Sequence, residues 1–160
     1  MELYDPEKNE WKLIAPLKKP RWGGFAAGVG SKLYVLGGRS SSTIGYYRSI
    51  DVFNTNTEEW AEIKNGCQLV LTHAVIADKI YCVQWKDERT IKVYNTSNNT
   101  WTKVQIPLPG KVRESFSLGT YGGKLFMFLS SNRIGTLVYN PEAAEGSRWE
   151  PLDTIRSGPC

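Results

Sequence analysis

Short apolar runs, each closed by a polar or glycine-bearing turn, recur along this chain from end to end. Gly, Pro and β-branched residues interrupt every window in which a helical spacing could start, so the pattern predicts strands and no helix. The runs also repeat in kind. Tyr4-Asp5 leads to Trp11, Phe53-Asn54 to Trp60, Tyr94-Asn95 to Trp101 and Tyr139-Asn140 to Trp149. The gap from aromatic to tryptophan is seven residues in three copies and ten in the fourth, where Ala143-Ala144-Glu145-Gly146 lengthens the loop. The tryptophans lie 49, 41 and 48 residues apart, a period that predicts stacked units of β-sheet.

Between these copies the chain divides into strands a to d in order. Strand a is rich in small residues: Phe25–Val29, Thr72–Ala77 and Phe116–Thr120. Tight turns follow at Gly30-Ser31, Asp78 and Gly122-Gly123, and then a lysine in register each time, Lys32, Lys79 and Lys124. Strand b reads Leu33–Gly38, Ile80–Trp85 and Leu125–Ser130. Strand c carries the aromatic with its Asp or Asn, and strand d carries the tryptophan. In a radial array of sheets the innermost strands crowd the axis, which accounts for small residues in strand a. The rings of strands c and d would fill the wedge farther out, where sheets diverge.

This pattern resembles the kelch repeat: a Gly-Gly pair closing strand b, Tyr with Asp or Asn in strand c, and Trp several residues on. Gly37-Gly38, Phe53-Asn54 and Trp60 meet it; Gln84-Trp85 and Leu129-Ser130 replace the glycine pair in the next two copies. The resemblance implies an all-β, kelch-type β-propeller fragment of about three and a half four-stranded blades. Residues 1–15 would form the c–d hairpin of an incomplete blade, residues 16–65, 66–106 and 107–152 three repeats, and residues 153–160 the start of another. The expected object is an unclosed arc cut from a larger propeller, with Met1 in mid-blade and raw sheet edges prone to self-association. The texture is most similar to plant F-box/kelch-repeat proteins, although the F-box itself is absent from these residues.

Length and composition agree with a globular chain: 160 residues, 41% hydrophobic and 12% aromatic. The net charge of +4 is interspersed with no run of five like charges, which argues against nucleic-acid binding. No apolar stretch reaches the ~20 residues of a membrane span. Cys67, Cys82 and Cys160 fit no ligand spacing, and an intracellular, reducing location, cytoplasmic or nuclear, is expected. Cys82 falls on a strand b position whose equivalents are Val35 and Met127, so a buried apolar role is expected.

His73 is the single histidine and lies within an inner strand. Copper oxidases with kelch-type folds need several histidines and tyrosines, so this chain lacks their ligand set. No nucleophile–base constellation or phosphate loop stands out, and neither an enzyme nor a metal or other cofactor is expected.

Surface recognition remains. In kelch proteins the b–c and d–a loops bind partners, since rigid sheets hold them at one end of the blades. The b–c candidates are Arg39, Lys86 and Arg133; the d–a candidates are Arg21, Trp22 and Arg113. Arg and Trp dominate binding hot spots, and a ring of Arg suits acidic or phosphorylated protein segments. The resemblance implies the client-binding part of a ubiquitin ligase adaptor of the F-box/kelch type. A BTB-type adaptor or a cytoskeletal scaffold is the alternative parent.

Overall fold

The computed structural model describes residues 1–40, 45–85, 87–108, 115–130 and 135–152, with backbone alone at Glu88 and Phe116. All its regular elements are strands. β1 (Glu2–Asp5) pairs with β2 (Glu10–Leu13) as a two-stranded hairpin. β3 (Arg21–Val29), β4 (Lys32–Ser40), β5 (Ser49–Asn54) and β6 (Glu59–Lys64) form a four-stranded antiparallel sheet in chain order. β7 (Val70–Ile76) to β10 (Thr100–Gln105), through β8 (Lys79–Gln84) and β9 (Asp87–Asn95), form a second. β11 (Phe116–Tyr121), β12 (Lys124–Leu129), β13 (Thr136–Tyr139) and β14 (Trp149–Leu152) form a third. The three in-register lysines each open the second strand of their sheet. The chain divides into two compact units, Met1–Val70 and Leu71–Cys160.

The repeated aromatic–Asx–Trp line is the c–d hairpin, built the same way four times. Tyr4 faces Trp11, Phe53 faces Trp60, Tyr94 faces Trp101 and Tyr139 faces Trp149 across their strand pairs. The ring centroids are 5.2, 5.1, 5.0 and 5.0 Å apart, all tilted by 40–50°. Such cross-strand aromatic pairs stabilise a hairpin by ~0.5–1.5 kcal/mol beyond the area they bury.

The Asp or Asn has its own task. Its Oδ1 accepts the backbone N–H two residues on: Asp5 from Glu7 at 3.0 Å, Asn54 from Asn56 at 2.9 Å, Asn95 from Ser97 at 2.9 Å, Asn140 from Glu142 at 3.1 Å. This local bond starts the turn before the second strand is in place. In the second and third copies the next threonine then ties the turn to the hairpin before strand b. Thr55 donates to the Ser31 carbonyl and Thr96 to that of Asp78 through both backbone N–H and hydroxyl.

Alternate positions of the strands bury one face. In the second unit Tyr81 and Val83 of β8, Ile91 and Val93 of β9, Leu125 and Met127 of β12, and Leu137 and Tyr139 of β13 gather in one cluster. The period of two is the strand's own, and the cluster joins the two sheets. Cys82 is fully buried on the other face of β8, as its apolar register predicts. In the first unit Tyr34, Leu36, Ile50, Val52 and Phe53 are buried. In strand a, Ala27 and Ala74 are buried, and a Cβ on Gly24 would stand 2.8 Å from the Leu36 carbonyl oxygen, while Gly28 has open space where its Cβ would be.

Candidate functional site

The end of the first sheet that carries Gly37-Gly38 is a close meeting of backbones. β3 and β4 pair Trp22 with Arg39 and Gly24 with Gly37. Gly37 and Gly38 take φ of +65° and +90°, values that side chains disfavour. A Cβ on Gly38 would stand 2.8 Å from the Trp22 carbonyl oxygen, and one on Gly37 would overlap that of Gln68. Gly38 N–H donates to the Gln68 carbonyl and Gly38 accepts from Tyr47 N–H, both at 3.0 Å. The glycine pair therefore lets three backbone segments converge, and it fixes the backbone at the next residue, Arg39, which pairs with Trp22 near the end of β4.

Arg21, expected in a d–a loop, instead opens β3 and turns inward. Its Nη2 donates to Asp51 Oδ2 at 2.6 Å, and its Nη1 to the carbonyls of Gly37 and Ser49 at 3.0 and 3.2 Å. The Tyr47 ring covers the guanidinium at 4.6 Å. With the side chains of Arg21 and Asp51 only 2% and 8% exposed, this arginine is a fastener of the sheet end.

Trp22 and Arg39 remain on the surface, and the structure adds Tyr46. Arg39 pairs with Trp22 on one side and bridges Tyr46 on the other. Its guanidinium lies 5.2 Å from the Trp22 ring and 5.0 Å from the Tyr46 ring. Trp22 is 56% exposed and Tyr46 is 40% exposed. No carboxylate pairs with Arg39 among the described residues. Two rings thus hold a guanidinium in place by cation–π attraction, and none of the described carboxylates takes up its N–H edges. Sequence reasoning missed Tyr46; the only signal was two adjacent tyrosines, Tyr46-Tyr47, after Gly45.

Lys86, Arg113 and Arg133 lie outside the described residues. Trp85, in the place of the second glycine of the pair, is 59% exposed. His73 lies half-buried in mid β7, and Cys67 and Cys82 are buried. No group of three metal-ligating side chains occurs among the described residues. No helix there is long and apolar enough to cross a membrane.

Comparison with known proteins places this architecture. The family model of the Kelch motif matches residues 23–66, the first complete sheet with its glycine pair. An F-box/kelch-repeat protein of Arabidopsis thaliana is 42% identical over 161 residues, covering 99% of this chain and 43% of that protein. A putative F-box/kelch-repeat protein of the same plant is 29% identical over 97% of this chain and 43% of its own length. Human Kelch-like protein 23 is 33% identical over 47% of this chain and 13% of its own length. The first complete sheet thus matches the Kelch motif, and the other two share its four-stranded antiparallel build. The chain is similar to these plant F-box/kelch-repeat proteins along nearly its whole length, and it spans less than half the length of those two relatives.

Proposed function

We propose that this chain is the client-binding part of an F-box/kelch adaptor of a ubiquitin ligase, working in the cytoplasm or nucleus. In this reading it binds proteins and catalyses nothing. The observation that carries the binding role is the Trp22–Arg39–Tyr46 cluster. An arginine clamped between two exposed rings loses little side-chain freedom on binding, and its guanidinium, with no carboxylate partner among the described residues, suits a carboxylate or phosphate. The client segment is therefore acidic or phosphorylated. Lys86, Arg113 and Arg133 extend the same basic reading along the remaining loops. Arg21 leaves that set, because its guanidinium already serves Asp51.

The likeness to Kelch-like protein 23 favours a second parent, a BTB-type adaptor, over the shorter span that it covers. Affinity purification of the full-length protein with quantitative mass spectrometry separates these readings. An F-box parent brings down a ligase-core subunit in every variant. Replacement of Trp22, Arg39 and Tyr46 by Ala then removes client proteins and leaves that subunit. Clients retained by the triple variant would overturn the binding surface, and a missing core subunit would overturn the adaptor role.

A further inference from the structure

Asn65 is the one asparagine of this chain that precedes a glycine. Its side-chain amide is therefore open to attack by the next backbone nitrogen, because Gly66 has no Cβ to hinder the close approach. The reaction needs only water as co-reactant. Gly66 N loses its proton to water and bonds to Asn65 Cγ, and ammonia leaves. Water then opens the five-membered ring. Breaking the N–Cγ bond gives aspartate. Breaking the bond to the Asn65 backbone carbonyl carbon gives isoaspartate, whose main chain runs through Cγ and is one atom longer.

The fold holds both partners of this reaction. β6 ends at Lys64, which pairs with Ser49 of β5. Asn65 is exposed and takes φ of +70°, and Gly66 N–H donates to the Arg48 carbonyl. A Cβ on Gly66 would stand 2.8 Å from the Ser49 carbonyl carbon, so the two backbones are in close contact. Attack needs Gly66 N released from its hydrogen bond and turned toward Asn65 Cγ, and this packing opposes both. Two residues on, the Gln68 carbonyl accepts from Gly38 N–H. Residues 65–68 thus clip the end of β6 to the glycine pair, one residue from Arg39.

We propose that Asn65 is a deamidation site that the folded sheet end keeps closed, and that its conversion to isoaspartate opens that end irreversibly. Local opening of the Gly66–Arg48 contact sets the rate, since the nucleophile is held until that bond breaks. The extra backbone atom of the product falls between the Lys64–Ser49 pair and the Gly66–Arg48 bond, whose spacing suits the ordinary chain. Gly66 and Gln68 are then displaced from Arg48 and Gly38, and the backbone beside Arg39 loses a support. The inference concerns this end of the first sheet and holds whatever the Trp22–Arg39–Tyr46 surface binds.

The test is mass spectrometry of the full chain, held at mildly alkaline pH in buffer and in urea and then digested. The readout is the exchange of NH2 for OH in the peptide that carries Asn65. Conversion is expected to run about tenfold or more slowly in buffer than in urea. Equal rates would overturn the closed site, and this comparison needs no refolding. The second half of the proposal is read by thermal melts. Chain converted in urea and returned to buffer should melt at least about 4 °C below Asn65→Gly taken through the same steps. That variant keeps the positive φ without strain and has no amide to lose. Freshly prepared Asn65→Asp carries the new charge without the extra backbone atom, and should melt within about 3 °C of wild type. A converted chain that melts with Asn65→Gly would overturn the opening. So would an Asn65→Asp chain that melts as low as the converted one, since charge alone would then account for the loss.

Discussion

Arg21 and Asp51 form a buried ion pair, 2.6 Å from Nη2 to Oδ2, that ties β3 to β5 across β4. The guanidinium's other bonds go to backbone carbonyls at the glycine pair and at Ser49, so the pair fixes the sheet end that presents Trp22 and Arg39. Removing one partner strands a buried charge. Asp51→Ala is expected to cost ~3–5 kcal/mol in chemical denaturation of the full chain. Arg21→Met with Asp51→Leu should recover most of that loss, because apolar replacement removes both desolvated charges. A cost below ~1 kcal/mol for Asp51→Ala would contradict the fastening role.

The hairpin turns supply a second test. Tyr4 and Tyr94 donate their hydroxyls to Asn9 and Asn99 at 2.7 and 2.8 Å, and both asparagines take positive φ. In the intervening copy Phe53 has no hydroxyl, and the matching positive-φ residue is Glu58. Tyr94→Phe should therefore cost ~0.5–1.5 kcal/mol. Phe53→Tyr alone gains little, since its hydroxyl lacks a partner. Combined with Glu58→Asn it should show a favourable coupling of ~0.5–1 kcal/mol in a double-mutant cycle. Strict additivity would count against the tyrosine–asparagine link.

Glycines offer a contrast within one sheet. Gly38→Ala places a methyl 2.8 Å from a carbonyl oxygen at φ +90°, and should destabilise by ~2–4 kcal/mol. Gly28→Ala meets open space and should be neutral or stabilise by up to ~1 kcal/mol. Thermal melts of the two variants side by side decide it. Equal melting temperatures would contradict the close backbone approach at Gly38.

Burial, reinforced by the neighbouring Tyr139, pushes the Tyr81 hydroxyl up to about 12. Its folded value lies above the unfolded one, so the folded chain holds this proton longer. Its contribution to stability is complete below about pH 10 and is lost as pH rises toward about 12. Denaturation between those limits should show stability falling with pH, and Tyr81→Phe should flatten that slope. A slope unchanged by Tyr81→Phe would assign the alkaline loss to other groups.

Much of this was legible before any coordinates. The aromatic, the Asx and the tryptophan fixed each c–d hairpin, because cross-strand pairing and the Asx turn are local and obey strand periodicity. The burial of Cys82 followed from its register beside Val35 and Met127. Arg21 was not legible: a lone arginine before a strand reads as surface charge. Only the fold brings it to Asp51, thirty residues on. Tyr46 was missed for the related reason that an isolated bridge to Arg39 leaves no periodic trace.

In the proposed function the Trp22–Arg39–Tyr46 cluster is where the chain meets its partner. The most direct measurement is the dissociation constant of the full-length protein for its tightest acidic or phosphorylated client segment, taken for wild type, Trp22→Ala and Arg39→Ala. Each variant should weaken binding about tenfold or more while its melting temperature stays within about 3 °C of wild type. Binding unchanged in both variants would contradict the claim.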